Sequence, residues 1–215
     1  MEKKEIVEVV KKAREGAKKR NFKQSFDMAI NFKNLDLKKA ENKIKTEVLL
    51  PKGMGKELTI GVFADTMIPQ VKKLEGVVLI RKDELEGLKA KKKQAKALAN
   101  KCHAFLSEAP LMPLVGKFLG PVLAVRNKMP RPVPPTLANI EPLVKRARNT
   151  VRIVLRDSPA AHCRIGVEEM SDDDVAENAL AVLKAVETAL PKGITQMKNA
   201  NIKLTMGKPV KIVIK

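Results

Sequence analysis

The chain has 215 residues, of which 43 are Lys or Arg and 24 are Asp or Glu, so its formal net charge is +19. This length suits one or two domains, and the charge favours a polyanionic partner, either nucleic acid or an anionic membrane surface. No stretch approaches 18 uninterrupted apolar residues and no apolar run follows the first residues, so we expect neither a membrane-spanning helix nor a secretory signal. Two cysteines are too few for a disulfide scaffold, which fits a reducing cytosol.

The aromatic content restricts how nucleic acid could be recognised. The chain has no Trp, no Tyr and six Phe. Proteins that bind single strands by stacking rest each base on an exposed ring, so stacking cannot be the general mechanism here. We expect contacts to the phosphate and sugar groups of a folded RNA instead.

The first part of the chain predicts a helix followed by two strands. Apolar residues between Ile6 and Ala17 recur at the helical period. From Phe26 to Phe32 and from Ile44 to Leu50 the period becomes two, which predicts half-buried strands of an antiparallel sheet. The stretch 51–55 contains Pro and two Gly and marks a candidate domain boundary.

The middle of the chain has a different pattern. Short apolar runs at 58–64, 77–80 and 102–106 predict buried parallel strands of an α/β unit. The proline-rich stretch 110–135 is expected to hold an ordered loop around a short helix rather than a long regular element. A single very basic helix, either a solvated surface or a nucleic-acid contact, is predicted to carry Lys89, Lys91, Lys92, Lys93 and Lys96.

The period of two returns from Thr150 onwards. Strands are predicted near 151–155 and 162–167, and Ser171 is expected to cap a long amphipathic helix that begins with three aspartates. Strands at 202–205 and 208–214, joined at Met206 and Gly207, close the chain. The sequence thus predicts an α+β split domain of residues 1–55 and 151–215, interrupted by an α/β domain of residues 56–150, with the two connecting strands as a hinge.

Several motifs invite a catalytic or metal-binding interpretation and do not support one. Gly53-Met54-Gly55-Lys56 lacks the earlier glycine and the following hydroxyl of a phosphate-binding loop, and is interpreted as a flexible turn between domains. The pairs Cys102-His103 and His162-Cys163 have the numbers for zinc, but adjacent strand residues point to opposite faces. No cofactor, metal or catalytic residue is expected.

Four segments, taken in order, resemble one family. They are Ser25-Phe26-Asp27, the run from Val48 to Lys56, Gly116-Lys117-Phe118-Leu119-Gly120-Pro121 with Lys128-Met129-Pro130, and Lys203-Leu204-Thr205-Met206-Gly207-Lys208. These segments are similar to those of the ribosomal large-subunit stalk protein family, protein number one of that subunit, in its archaeal type. The resemblance covers essentially the whole chain.

The resemblance implies a split α+β domain joined by a two-strand hinge to a Rossmann-like domain. It implies a non-enzymatic cytoplasmic protein of the large ribosomal subunit that binds large-subunit rRNA, forms the mobile stalk and assists release of deacylated tRNA from the exit site. Several family members also bind their own messenger RNA and repress its translation. We expect this chain to be monomeric when free.

The family carries its main RNA contact on positions that here are Phe26, Thr205, Met206 and Gly207. Asn199, Lys203 and Lys208 complete the site that the resemblance implies. Relatives usually have a tyrosine where this chain has Asn201, so that aromatic is absent.

The residue types agree with such a role. Thr205 offers a hydroxyl to ribose 2′-OH groups, Gly207 lets backbone approach closely, and Met206 with Phe26 is expected to form an apolar patch. Two alternatives remain open at this point. One is a nucleotide-binding enzyme, suggested by the α/β region, and the other is a general DNA-binding architectural protein, which the charge alone would permit.

Overall fold

The computed structural model describes residues 3–35, 37, 44–135, 139–155 and 158–212. It divides into two compact units, Met1–Lys56 with Asn149–Lys215 and Glu57–Arg148. We call them the terminal unit and the middle unit. The architecture is mixed α/β, with antiparallel sheets in the first unit and a parallel sheet in the second, as the change of hydrophobic period predicted.

The terminal unit contains two helices and two antiparallel sheets. Its elements are α1 (Lys3–Glu15), β1 (Ser25–Phe32), β2 (Lys45–Leu49), and, after the middle unit, β7 (Thr150–Val154), β8 (Ala160–Val167), α7 (Asp172–Ala189), β9 (Met197–Leu204) and β10 (Val210–Ile212). A four-stranded sheet has the order β10-β9-β1-β8, and β2 pairs with β7 in a separate two-stranded sheet. The predicted strands 26–32 and 44–50 therefore lie in different sheets. The strand predicted to reach residue 214 lies partly outside the described residues.

Helices α1 and α7 cover one face of the four-stranded sheet. Phe26, Met28, Ile30 and Phe32 alternate along β1 and are all buried on that face. The predicted cap of α7 is confirmed, because the Ser171 hydroxyl accepts from the Asp174 backbone N–H at 3.2 Å. The opposite face carries the polar residues of each strand, so this sheet is covered on one side only.

The middle unit is a parallel sheet covered on both faces. Its elements are β3 (Ile60–Phe63), α2 (Ile68–Val71), β4 (Val77–Ile80), α3 (Lys82–Ala90), α4 (Lys92–Lys101), β5 (Ala104–Glu108), α5 (Met112–Leu123), β6 (Arg131–Val133) and α6 (Glu141–Arg148). The strand order is β4-β3-β5-β6. One apolar cluster lies between the sheet and α3, α4 and α5, and a second lies between the sheet and α2 and α6.

Two sequence predictions for this unit are wrong. The lysine-rich segment forms two helices, because α3 ends at Ala90 and α4 begins at Lys92. The proline-rich stretch contains the 12-residue helix α5. Pro113 lies in its first turn, where the missing N–H is not needed, and Pro121 lies near its end, while Val115, Leu119 and Leu123 bury one face. No helix within the described residues is long and apolar enough to cross a membrane.

Candidate nucleic-acid interface

The connection between β9 and β10 is a tight turn with an exposed tip. The Gly207 N–H donates to the Leu204 carbonyl at 2.9 Å, which makes Thr205 and Met206 the two central residues of the turn. Met206 is 59% exposed, one of only a few large apolar side chains exposed in the described part of the chain. The turn therefore presents an apolar tip to solvent, as the sequence predicted for Met206.

Thr205 is tied to the neighbouring strand. Its hydroxyl accepts from the Ser25 N–H at 3.1 Å and donates to the Ser25 carbonyl at 3.3 Å. A hydroxyl has one proton and two lone pairs, so one lone pair of Thr205 stays available to an external donor. The hydroxyl also fixes the end of β1 against the turn, a role that the sequence does not reveal.

Gln24 holds the turn in place from the protein interior. Its role was not predicted from the sequence. Its side chain is buried, and its Oε1 accepts from the Met206 N–H at 3.2 Å while its Nε2 donates to the Lys18 carbonyl at 3.3 Å. A buried glutamine just before a strand gives no periodic signal. Its function becomes visible only once β1 and the turn lie side by side.

Phe26 differs from the expectation of an exposed apolar patch. Its side chain is 0% exposed, and the Arg14 guanidinium lies 5.3 Å from the centroid of its ring. The reason is the strand alternation, which puts Phe26 on the helix-covered face together with Met28. Phe26 thus supports the sheet from inside, and its ring offers no surface to a ligand.

Gly207 is closely packed within the protein. A Cβ at this position would lie 3.3 Å from the Leu204 Cβ and 3.4 Å from the Ala17 Cβ. The first distance is shorter than most such contacts, so an alanine needs a small shift of its neighbours and a larger side chain needs a larger one. The sequence attributed this glycine to close approach of a ligand, and the structure adds this internal reason.

The open face of the four-stranded sheet begins at this turn. Along β9 the residues Asn199, Asn201 and Lys203 alternate with buried Ala200 and Ile202. Asn199 lies opposite Asn31 of β1, and the Asn31 Nδ2 donates to the Asn199 Oδ1 at 2.7 Å. Lys208, after the turn, is exposed. Asn201 occupies the middle of this polar row, so the absence of an aromatic leaves the row hydrophilic.

One carboxylate lies in the centre of the open face. Asp27 of β1 is the register partner of both Lys203 of β9 and Arg164 of β8. Burial raises the pKa of Asp27 above its usual range, although the nearby charges of Arg164, Lys203 and His162 oppose this effect. The cations of the open face are therefore arranged around a single, partly desolvated acid.

Three acidic residues of α7, Asp172, Asp174 and Glu177, form ion pairs within the terminal unit. The Arg14 guanidinium lies 2.9 Å from the Asp172 carboxylate, and the Lys3 ammonium lies 2.6 Å from that of Glu177. The hydrogen bond with Glu177 raises the pKa of Lys3, and the same bond lowers the pKa of Glu177. Acidic groups are thus concentrated on the helical layer, away from the open face.

The stretch after β2 is fixed to the terminal unit rather than free. Asn178 of α7 is 0% exposed; its amide donates to the carbonyls of Gly53 and Ile165 at 2.8 and 2.9 Å, and its oxygen accepts from the Lys52 N–H at 3.1 Å. Gly53 and Gly55 have positive φ, and a Cβ on Gly55 would lie 2.5 Å from Val167. The expectation of a flexible turn is wrong, because these glycines serve a tightly packed loop.

The middle unit has an obvious place for a phosphate, and a carboxylate fills it. In an open parallel sheet, ligands bind at the carboxyl ends of strands where the strand order reverses, here between β3 and β5. At this point the Glu108 Oε1 accepts from the N–H groups of Asp65, Thr66 and Met67 at 3.1, 3.0 and 2.8 Å. Glu108 is 3% exposed. The amides that would hold a phosphate are already occupied, which argues against the nucleotide-binding alternative.

The cysteine and histidine pairs lie in different units. Cys102 and His103 belong to the middle unit and His162 and Cys163 to the terminal unit, and both cysteines are buried and reduced. Burial and the nearby Asp27 charge raise the pKa of Cys163 to about 12, so it is a neutral thiol. Within the described ranges, no three His, Cys, Asp or Glu side chains are grouped as metal ligands.

These features define a class of protein: a basic, two-unit α/β chain with an open polar sheet face and an occupied ligand crevice. The family model described as "Ribosomal protein L1p/L10e family" matches residues 10–208. The chain is 48% identical over 207 residues to large ribosomal subunit protein uL1 of Thermococcus kodakarensis, covering 96% of each chain. It is 46% identical over 210 residues to the protein of that name from Methanothermobacter thermautotrophicus, covering 97% of this chain and 99% of the relative.

The chain therefore belongs to the ribosomal protein L1p/L10e family, and its relatives are of the archaeal type. The same name is carried by a protein of Methanothermococcus thermolithotrophicus that is 48% identical over 212 residues, or 99% of each chain. This assignment confirms the resemblance found in the four sequence segments. The relatives are named as ribosomal proteins of the large subunit, a structural rather than enzymatic family, in agreement with the expectation that this chain is no enzyme.

Proposed function

We propose that this protein is a structural component of the large ribosomal subunit that binds a folded segment of large-subunit rRNA. The binding surface consists of the Thr205–Gly207 turn and the open face of the β10-β9-β1-β8 sheet. The observation that carries the proposal is the exposed Met206 side chain next to a Thr205 hydroxyl that keeps one acceptor position. The family membership and the net charge of +19 support it.

The chemistry of the turn suits a ribose edge. A 2′-OH donates to the remaining lone pair of Thr205, which DNA cannot do. Met206 covers this hydrogen bond and excludes water, so that the bond is stronger than in open solvent. Lys203 and Lys208 supply charges for phosphates, while Asn199 and Asn201 offer amides along the sheet. Phe26, Gln24 and Gly207 hold the turn in place from inside the protein.

The finer role follows from the same family resemblance. Residues 1–55 and 151–215 act as the RNA-binding domain, residues 56–150 as an inserted α/β domain, and the strands β2 and β7 as a hinge. The protein forms the mobile stalk of the large subunit, assists release of deacylated tRNA, and represses translation by binding its own messenger RNA. The division into two compact units and the pairing of β2 with β7 support this picture.

The test measures binding of turn variants to rRNA. A footprint on the complete large-subunit rRNA defines a fragment, and dissociation constants are then measured for the parent, Thr205→Val, Thr205→Ser and Met206→Ala. We expect Thr205→Val to lose about 1–3 kcal/mol of binding free energy, Met206→Ala to bind more weakly than the parent, and Thr205→Ser to bind nearly like the parent. A duplex DNA of equal length should not displace the RNA.

Two controls accompany these variants. Lys184→Ala removes one charge from α7, and Val125→Ala shortens another exposed apolar side chain, in the middle unit; both should bind like the parent. Because Thr205 also bonds Ser25, Thr205→Val is expected to lower the free energy of unfolding by about 1 kcal/mol, so binding is measured well below the melting temperature. If Thr205→Val and Met206→Ala bind like the parent, this turn is not the recognition site.

A further inference from the structure

A groove in the middle unit has no role in the proposed RNA contact. It has a volume of about 370 Å³ and runs between the strand β4 and the helices α3 and α4. Strand β4 lines it with Val78–Ile80, and the helices contribute the apolar Leu88 and Leu98 and the polar Glu84 and Gln94. Gly87 and Lys91 lie at its exposed rim. The walls are thus mainly apolar and the rim is open to solvent.

The groove runs beside an unpaired strand edge. Strand β4 is the outermost strand of its sheet, and among the described residues it pairs with β3 alone. The carbonyls of Gly76 and Ile80 accept from Ile60 and Ala64 of β3 at 3.1 and 3.2 Å. Since backbone groups alternate in direction along a parallel strand, the N–H and C=O groups of Val77 and Leu79 point away from β3. These groups form a template for one more strand.

The charge around the groove selects the partner. Residues 82–101, which contain α3 and α4, carry seven lysines and three carboxylates, and one of these carboxylates, Glu84, lines the groove. The lysines at the end of α3 and the start of α4 are exposed, and within the described ranges no carboxylate forms an ion pair with Lys91, Lys92 or Lys93. A second copy of this chain would bring the same lysines and be repelled. A nucleic-acid base would find no aromatic ring on the walls to stack on. An acidic polypeptide satisfies both the apolar walls and the charged rim.

We propose that this groove binds an extended acidic segment of another protein, which adds a strand to the edge of β4. The backbone of that segment pairs with Val77 and Leu79. The apolar side chains on one face of the added strand enter the space between β4 and the helices, and carboxylates at the ends of the segment lie near Lys91 and Lys92. Addition of a strand to a sheet edge is a general mode of peptide recognition. The surface lies in the middle unit, apart from the RNA contact proposed above, so a ribosome-bound protein could recruit a partner by it.

Gly87 provides a variant that fills the groove without changing any charge. A Cβ at Gly87 would meet no atom within 4 Å, and the same holds for Gly116 on α5, which does not line the groove. Gly87→Phe and Gly116→Phe therefore make the same change in two helices of one unit, and only the first occupies the groove. Both replace a helical glycine by a residue of higher helix propensity, so neither substitution is expected to weaken its helix.

The experiment uses the full chain and a fluorescein-labelled peptide of nine residues, Val-Thr-Val-Thr-Val with two Glu at each end, so that the Val residues and one Glu at each end share a face. Anisotropy is measured at 0.15 M salt with the parent and both variants. We expect the parent to bind, Gly116→Phe to bind within about twofold, and Gly87→Phe to bind at least about tenfold more weakly. Amide hydrogen exchange of Val77 and Leu79 should slow when the peptide is bound.

A second peptide keeps the test independent of folding of the variants. Replacing the central Val by Pro leaves the charge unchanged but blocks strand pairing, so binding to the parent should fall at least about tenfold. Equal binding of the two peptides, or equal binding by Gly87→Phe and the parent, would mean diffuse attraction to a basic surface and would overturn the proposal. So would a parent that does not bind the peptide while a single-stranded RNA of equal charge binds and is lost in Gly87→Phe.

Discussion

The two sheets of this molecule differ in what they leave exposed. The parallel sheet of the middle unit is covered by helices on both faces, and the crevice at its carboxyl end is filled by Glu108. In the described part of the terminal unit, helices cover one face of the antiparallel sheet, and the other face carries polar residues. The parallel sheet belongs to a type of fold that commonly binds nucleotides, but its ligand crevice is filled here. The antiparallel sheet has no such crevice and keeps a broad polar face.

This difference shows why fold resemblance alone is a poor guide to function. The middle unit has the strand order and the backbone amides that could hold a phosphate, but its own carboxylate occupies them. The terminal unit offers no such pocket, and its exposed turn and sheet suit the extended, convex surface of a folded RNA. The recognition surface that we propose therefore consists of exposed groups on a flat sheet face.

The largest effect on rRNA binding is expected when the two units are separated. Residues 1–55 joined by a short linker to residues 151–215 should bind the rRNA fragment within about tenfold of the full chain, whereas residues 57–148 alone should lose at least about a thousandfold. Each unit has its own buried core, which favours independent folding. Circular dichroism melts of both pieces are the control. Tight binding by the middle piece would place the main site there.

Asn178 should carry much of the order around the terminal unit's loop. Asn178→Leu leaves the Gly53 and Ile165 carbonyls and the Lys52 N–H without the amide that bonds them, and should lower the free energy of unfolding by about 2–3 kcal/mol. Urea unfolding measures it. Lys184→Leu, at an exposed position on the same helix, is the matched control and should change stability by less than about 0.5 kcal/mol. A small effect of Asn178→Leu would mean that water replaces the amide.

The sequence predicted the parts of the fold that depend on periodicity. The alternation of β1 and β9, the buried stripe of α7 and its Ser171 cap are confirmed, because each depends on residues close together in the chain. The same alternation also put Phe26 with Met28 and Ile30 on one face. The burial of Phe26 could therefore be predicted from the strand alternation, whereas the family resemblance indicated an exposed contact residue.

The rest depended on contacts between distant residues. The bonds from Thr205 to Ser25 and from Met206 to Gln24 join positions about 180 residues apart, so no local pattern reports them. Glu108 follows an apolar strand in the sequence, but its partners at Asp65–Met67 lie more than 40 residues away. The helix α5 was not predicted because its prolines were interpreted as helix breakers. Pro113 lies in the first turn and Pro121 near the end, where a helix tolerates them.

A substitution of Glu108 tests the role of the filled crevice in the middle unit. Glu108→Gln removes the charge and replaces one of the two acceptor oxygens by an amide nitrogen, so the hydrogen bonds from the Asp65, Thr66 and Met67 N–H groups become weaker or fewer; we expect a loss of about 1–3 kcal/mol in the stability of the middle unit. Native-state hydrogen exchange of Ile60–Phe63 reports this unit specifically. Glu86→Gln on the exposed surface of α3 should leave the exchange unchanged, and rRNA affinity should stay within about twofold in both variants. Weaker rRNA binding by Glu108→Gln would connect the crevice to recognition.

The smallest effect is expected at Asp27, where the open face carries its one central acid. Because burial raises the pKa of this carboxyl above 3.8, the folded chain binds the proton more tightly than the unfolded chain. Its stabilising contribution is full below pH 3.8 and is lost as pH rises through the raised pKa. Asp27→Asn should remove this part of the pH dependence of unfolding, which begins near pH 3.8 and extends upward through the raised pKa; urea titration at each pH measures it.

The same substitution removes one negative charge from the surface proposed to face phosphates. At neutral pH, Asp27→Asn should therefore tighten rRNA binding by about two- to fivefold, in the range of a single exposed charge interaction. Asp83→Asn removes an identical charge from α3 of the middle unit and should leave the affinity unchanged. If Asp27→Asn instead weakens binding, the carboxylate itself accepts a hydrogen bond from the RNA, and Arg164 and Lys203 serve to hold it ionised for that contact. The direction of the change in affinity therefore shows whether Asp27 repels the RNA or accepts a hydrogen bond from it.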